Sequence, residues 1–107
     1  MATIQLRRYQ LGEGQLDAFL DWWVGSIVPI REALGYQVEF AYHLPETNEI
    51  VWAARVDGDR ARWDEIEAIY DASPERIEAF GTLAPGVVLS KELTFVDDVN
   101  PLLYRAR

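Results

Sequence analysis

The chain has no cysteine, one methionine and one histidine, and its ten basic residues comprise nine arginines and a single lysine. Without cysteine, disulfide scaffolds, thiolate metal sites and cysteine nucleophiles are all excluded. One histidine with no thiol partner is too small a donor set for zinc. No GxSxG, P-loop or GxGxxG spacing occurs, so elbow-type hydrolases and nucleotide sites have no support. Positive charge is also scarce. Eighteen acids against ten bases give a net charge of −8, which argues against nucleic acid or an anionic membrane as a partner, because both need basic patches. No window approaches the ~20 apolar residues of a membrane helix. The N-terminal stretch MATIQLRRYQ alternates and lacks a signal-peptide core, so a cytoplasmic location is expected. The preference for arginine over lysine reads as genome composition.

What is present suits one globular domain: 107 residues, 50% hydrophobic and 26% charged. Thr3 to Gln10 alternates as a strand. From Gln15 to Leu34 the apolar spacing turns helical, with Leu16, Phe19, Leu20, Trp23, Ile27, Ile30 and Leu34 on one stripe. Pro29 lies inside that helix. Its ring and missing N–H predict a kink around Gly25-Ser26, and Gly35 marks the stop. Tyr36 to Leu44 and Ile50 to Val56 alternate around the turn Pro45–Glu49 and form a hairpin. A helix from Asp59 to about Tyr70 turns Trp63, Ile66, Ile69 and Tyr70 inward. Ser73-Pro74 starts a short helix ending at Gly81, and Val87 to Val96 is the fourth strand.

The order β-α-β-β-α-β is the ferredoxin-like arrangement, an α+β fold with a four-stranded antiparallel sheet and both helices on one face. Alternation divides the strand residues into two sets. Ile4, Leu6, Val38, Phe40, Tyr42, Ile50, Trp52, Val87, Leu89, Leu93 and Phe95 form one set. The other mixes Val51, Ala53, Val88 and Val96 with Gln5, Arg7, Glu39, His43, Arg55, Ser90 and Glu92. Neither set is uniformly polar, so a monomer would leave an apolar face in water. Pairing of two sheets face to face in a homodimer is the economical solution.

Several local stretches resemble a known family. They are Leu6-Arg7-Arg8-Tyr9 followed by Gly14, Leu16, Phe19 and Trp23, then Pro29-Ile30-Arg31, Asn48-Glu49-Ile50-Val51-Trp52, and Ala72-Ser73-Pro74-Glu75. In this order and spacing they resemble the NIPSNAP-type domain of the dimeric α/β barrel superfamily. The resemblance covers residues 3–97, within a domain of residues 1–97 that leaves 98–107 as a C-terminal tail, whose Leu102, Leu103 and Tyr104 are apolar enough to dock. It implies a homodimer whose two sheets pack into a barrel. The superfamily includes cofactor-free monooxygenases, isomerases and haem-binding enzymes, but no family catalytic motif transfers to these residues.

Candidate chemistry therefore comes from residue types. His43, at the end of the second strand, is a candidate acid/base. It is also the one possible haem ligand, although a single histidine is weak support and no cofactor is expected. Arg7, Glu39, Arg55 and Glu92 share one face in this alternation. They would either bind a substrate carboxylate or enolate, with Arg55 as anion stabiliser, or pair among themselves at a dimer centre. Trp23, Tyr42 and Trp52 are the first candidates to line a pocket for a small apolar or aromatic ligand. The alternative is a non-catalytic dimerisation domain without a pocket.

Overall fold

A computed structural model describes residues 1–99 of the chain. The strands are β1 (Ala2–Leu11), β2 (Tyr36–Leu44), β3 (Glu49–Asp57) and β4 (Val88–Val96). They form one antiparallel sheet in the order β2-β3-β1-β4. Four α-helices cover one side: α1 (Leu16–Trp22), α2 (Val28–Leu34), α3 (Arg60–Ala72) and α4 (Pro74–Gly81). This is the α+β ferredoxin-like arrangement expected from the element order.

The expected kink is a π turn. Between α1 and α2, Trp23–Ile27 is wound wide, and the Val28 N–H bonds to the Trp23 carbonyl five residues back. Pro29 follows directly. It has no N–H to give, so the widened turn absorbs the missing bond. The extra residue changes which side chains face the sheet. Phe19, Trp23, Ile27 and Arg31, each four apart, are the buried ones. Gly35 then stops the run in a left-handed conformation, φ 111°. Asp59 and Ser73 cap α3 and α4 by accepting from the N–H groups of Arg62 and Arg76.

Ile50, Trp52, Ala54 and Val56 of β3 meet Phe19, Trp23, Ile27, Trp63, Ile66 and Tyr70 from the helices. Ile69, expected inward, is 55% exposed, because α3 turns only the Trp63, Ile66 and Tyr70 side to the sheet.

Two face assignments need correction. In β1 the residues facing the helices are Thr3, Gln5, Arg7, Tyr9 and Leu11, since Arg7 pairs with Trp52 and Tyr9 with Ile50. Ile4 and Leu6 therefore lie on the outer face. Alternation separates faces cleanly when one is polar, but β1 carries apolar residues on both, and strand pairing settles the matter. In β2, Glu39 is a bulge between Val38, opposite Ala54, and Phe40, opposite Ala53. The bulge swaps sides, so Tyr36 joins the core while Phe40 and Tyr42 turn outward. A second irregularity between Gln10 and Leu11 shifts the β1–β4 register around Leu89, which is exposed.

Among the described residues no helix is long and apolar enough to cross a membrane. Leu102, Leu103 and Tyr104 lie outside the described residues.

Candidate functional site

Between sheet and helices lies a cavity of about 300 Å³. Its floor is Arg7 and Tyr9 of β1 with Lys91 and Leu93 of β4. Trp22, Trp23, Ile27 and Arg31 come from the long helical run, Glu67, Tyr70 and Asp71 from α3, and Arg76 and Phe80 from α4. Each element contributes for a local reason. The β1 register turns Arg7 inward, the π turn brings Arg31 round to the sheet, and the Ser73 cap starts α4 where Arg76 can reach the opening.

Charge is the site's main property. Among the described residues its lining holds four cations, Arg7, Arg31, Arg76 and Lys91, against two carboxylates, Glu67 and Asp71. The excess runs opposite to a chain with a net charge of −8. Arg7 and Arg31 are 6% and 3% exposed. Arg7 donates to the Gln5 side-chain carbonyl and the Tyr9 hydroxyl, both neutral. Arg31 stands 3.5 Å from Glu67, whose carboxylate also accepts from the Tyr36 hydroxyl. Burial, followed by that bond, pushes the Tyr36 hydroxyl well above the ordinary phenol range. Arg76 lies 3.8 Å from Asp71, at the exposed rim.

Aromatic faces hold these cations apart. The Arg31 guanidinium lies 4.1 Å from the Tyr70 ring centroid and 4.8 Å from that of Tyr36. Arg7 and Arg31 sit 5.3 and 5.4 Å from the Trp52 ring, and Arg76 is 4.3 Å from Phe80. Cation–π contact with desolvated rings offsets part of the burial cost. It does not neutralise the charge. Polar atoms also remain uncommitted: among the described residues, Nε and Nη1 of Arg31, Nε of Arg76, Nε1 of Trp23 and the Tyr70 hydroxyl are buried without a hydrogen-bond partner. Such groups are costly to leave unpaired.

The sequence candidates divide between this cavity and other places. Arg7 and Trp23 line it, and Trp52 lies beneath, its ring 5.1 Å from that of Trp23. Tyr42 is on the outer face, 66% exposed. The set Arg7, Glu39, Arg55 and Glu92 is split by the sheet. Arg55 pairs with Glu39 at 3.0 Å and Asp57 at 3.5 Å on the outer side, and Glu92 stands opposite Arg8. Arg55 borders an outer groove of about 260 Å³ with Ile4, Val96, Asp97 and Asp98. His43 lies in the β2–β3 hairpin, its Nε2 3.1 Å from Asn48 Oδ1. Asn48 itself takes a positive φ and donates to the Gly12 carbonyl, which ties the hairpin to the end of β1. Neither His43 nor Arg55 lines the cavity.

Arg31, Arg76, Lys91 and Tyr70 were not legible as site residues. For Arg31 a signal exists. Steps of four from Phe19 through Trp23 and Ile27 end on it once Pro29 is taken to widen the turn.

No protein-family model matches the chain, and no curated protein matches it in sequence. Solved structures do resemble it. An uncharacterized NIPSNAP domain protein from Burkholderia xenovorans superposes with a TM-score of 0.80 at 16% identity, covering 92% of this chain and 95% of that one. A NIPSNAP family protein from Agrobacterium tumefaciens gives 0.80 at 9% identity, over 94% and 95%. A protein from Mycobacterium tuberculosis is more distant, 0.64 at 16% identity, over 94% and 97%. The chain thus has the fold of NIPSNAP-type domains.

Proposed function

We propose that this chain binds a small organic anion with a flat apolar body, a carboxylate-bearing metabolite, in the cavity between sheet and helices. One observation carries the reading: Arg7 and Arg31 are both buried, and the one carboxylate in ion-pair reach of either, among the described residues, is Glu67. A buried cation without a full partner is strongly unfavourable, and a bound anion supplies that partner. Guanidinium presents a planar fork that matches a carboxylate. Trp22, Trp23, Tyr9 and Phe80 offer flat apolar walls to the rest of the molecule. The same two guanidiniums would stabilise an enolate, so the site also suits cofactor-free chemistry of isomerase or monooxygenase type.

Tryptophan emission tests this directly, since Trp22 and Trp23 line the cavity. Titration with 3-phenylpropanoate is expected to give saturable quenching that weakens with salt. The matching amide should bind at least ~10-fold more weakly, given ~1.5–3 kcal/mol for hydrogen bonds to charged groups. Equal binding of acid and amide, or none by either, would refute the proposal.

We further infer that a second copy of the chain covers the outer sheet face. Ile4, Leu6, Val51 and Phe40 make a partly exposed apolar strip there. Arg8–Glu49 and Arg55–Glu39 border it, each already paired within the chain. An apolar centre inside a polar rim is the usual anatomy of an interface.

A further inference from the structure

Lys91 is the chain's single lysine, and it stands in the one described cavity that gathers four cations. The other three are guanidiniums, which stay protonated in proteins. Only Lys91 can become a neutral nucleophile. Its ammonium lies 5.1 Å from the Tyr9 ring centroid and 5.0 Å from that of Phe80. Among the described residues it joins no ion pair. Arg7 faces the cavity from β1, Arg31 from α2 and Arg76 from α4. The carboxylates on α3 are engaged elsewhere, Glu67 by Tyr36 and Arg31 and Asp71 by Arg76. Lys91 as a residue is exposed, but its amine end stands against two aromatic rings and faces neighbouring cations, the two conditions that free a lysine amine.

Resting on the reading of this cavity as an anion site, we propose that Lys91 condenses with the carbonyl of a small aryl 2-oxo acid whose carboxylate is held by Arg7 and Arg31. The Nζ lone pair adds to the carbonyl carbon, and the carbonyl π pair moves onto oxygen. A proton passes from nitrogen to that oxygen, giving the carbinolamine. With one further proton the oxygen leaves as water, and a protonated imine remains. No oxidant or reductant takes part. The iminium carries the same charge as the ammonium it replaces, and the substrate carboxylate relieves the repulsion among the cations. Once formed, the iminium acidifies the neighbouring C–H, whose proton loss gives an enamine, the step that isomerase chemistry needs. Desolvation first, then the charges of Arg7, Arg76 and Arg31, lowers the ammonium to about 8. The free amine at pH 7 is then more abundant than on an ordinary lysine.

The test is reductive trapping. The protein is incubated with phenylpyruvate and cyanoborohydride, followed by intact mass and peptide mapping. One adduct on the peptide containing Lys91 is expected. It should be absent from Lys91→Arg, which keeps the charge, and suppressed by 3-phenylpropanoate, which lacks the carbonyl. Phenylpyruvate that quenches tryptophan emission but gives no adduct, or gives one only at the Met1 amine, overturns the role of Lys91 and leaves the anion site standing. Failure of both acids to bind overturns both.

Discussion

The Arg31 guanidinium lies 4.1 Å from the centroid of the Tyr70 ring. The Tyr70 hydroxyl is itself buried with no partner among the described residues. Two hydrogen-bonding groups are thus held together at the cavity wall by a contact that uses neither one's donors. Packing alone does not favour this arrangement, because an aliphatic side chain would fill the Arg31 position without desolvating a charge. A site that keeps donors free for an anion accounts for it.

Arg31→Met should therefore separate stability from binding. Replacing a buried ion pair with apolar groups is neutral or stabilising by ~1–4 kcal/mol, whereas removing one partner strands the other; here the partner, Glu67, is 3.5 Å away, partly exposed, and keeps its bond from Tyr36. The expected outcome is an unchanged or higher Tm with loss of 3-phenylpropanoate quenching. A lower Tm with binding intact would make Arg31 a structural residue.

Phe19 should be the opposite case. It is fully buried, edge-on to Tyr9 at 5.9 Å and stacked on Trp23 at 6.0 Å. Phe19→Ala should cost ~3–5 kcal/mol in urea unfolding. Ile77→Ala, on the exposed side of α4, should stay within about 0.5 kcal/mol of the wild type.

These two residues also show how far sequence reading reaches. Phe19 is legible because an apolar residue on a helical stripe has one common use, and element order and helix caps follow from similarly local chemistry. Arg31 is hidden because a π turn shifts the face that follows it by one residue. Alternation groups Arg7 with Arg55 because apolar residues on both sides of β1 mask which side is inward, and the bulge at Glu39 reverses the faces within β2. Face and register are properties of strand pairing. A cavity is a property of several elements at once, so its members Arg7, Arg31, Arg76 and Lys91, from four elements, share no spacing in the chain.

Acid should unmask one surface pair. Arg8 donates twice to Glu49, at 2.7 and 2.9 Å, and this bonding lowers the Glu49 carboxyl from 4.5 to about 2. A depressed carboxylate contributes stability that is complete above its unfolded value and fades as pH falls toward the folded one. Urea midpoints between pH 5 and pH 2 should thus fall less steeply in Glu49→Gln than in the wild type. Parallel slopes would show that the pair contributes nothing.

Lys91 gives a signature at the other end of the scale. Its ammonium is lowered from 10.5 to about 8, so between those values the unfolded chain holds a proton that the folded chain has released. Stability should then rise with pH through that window as far as this group is concerned, and Lys91→Gln should remove that component. The 13Cε resonance of the chain's single lysine should titrate near 8, and move upward when 3-phenylpropanoate brings negative charge into the cavity. A midpoint near 10.5 in the free protein would place the amine in open solvent.

The outer sheet face supplies the last prediction. Phe40 is 36% exposed on that face, beyond the bulge that turns it outward, and a charge at its position would have to be buried between two sheets. Burying an unpaired cation in an apolar interface costs several kcal/mol, enough to shift a dimer by at least about a hundredfold. Light scattering should give the wild type the mass of two 12.3 kDa chains at micromolar concentration, and Phe40→Lys the mass of one, with the far-ultraviolet spectrum unchanged. The cavity lies on the helix side of the sheet, so the monomeric variant should still quench with 3-phenylpropanoate. A wild type that is monomeric at micromolar concentration would contradict the pairing of sheets and leave the anion site unaffected.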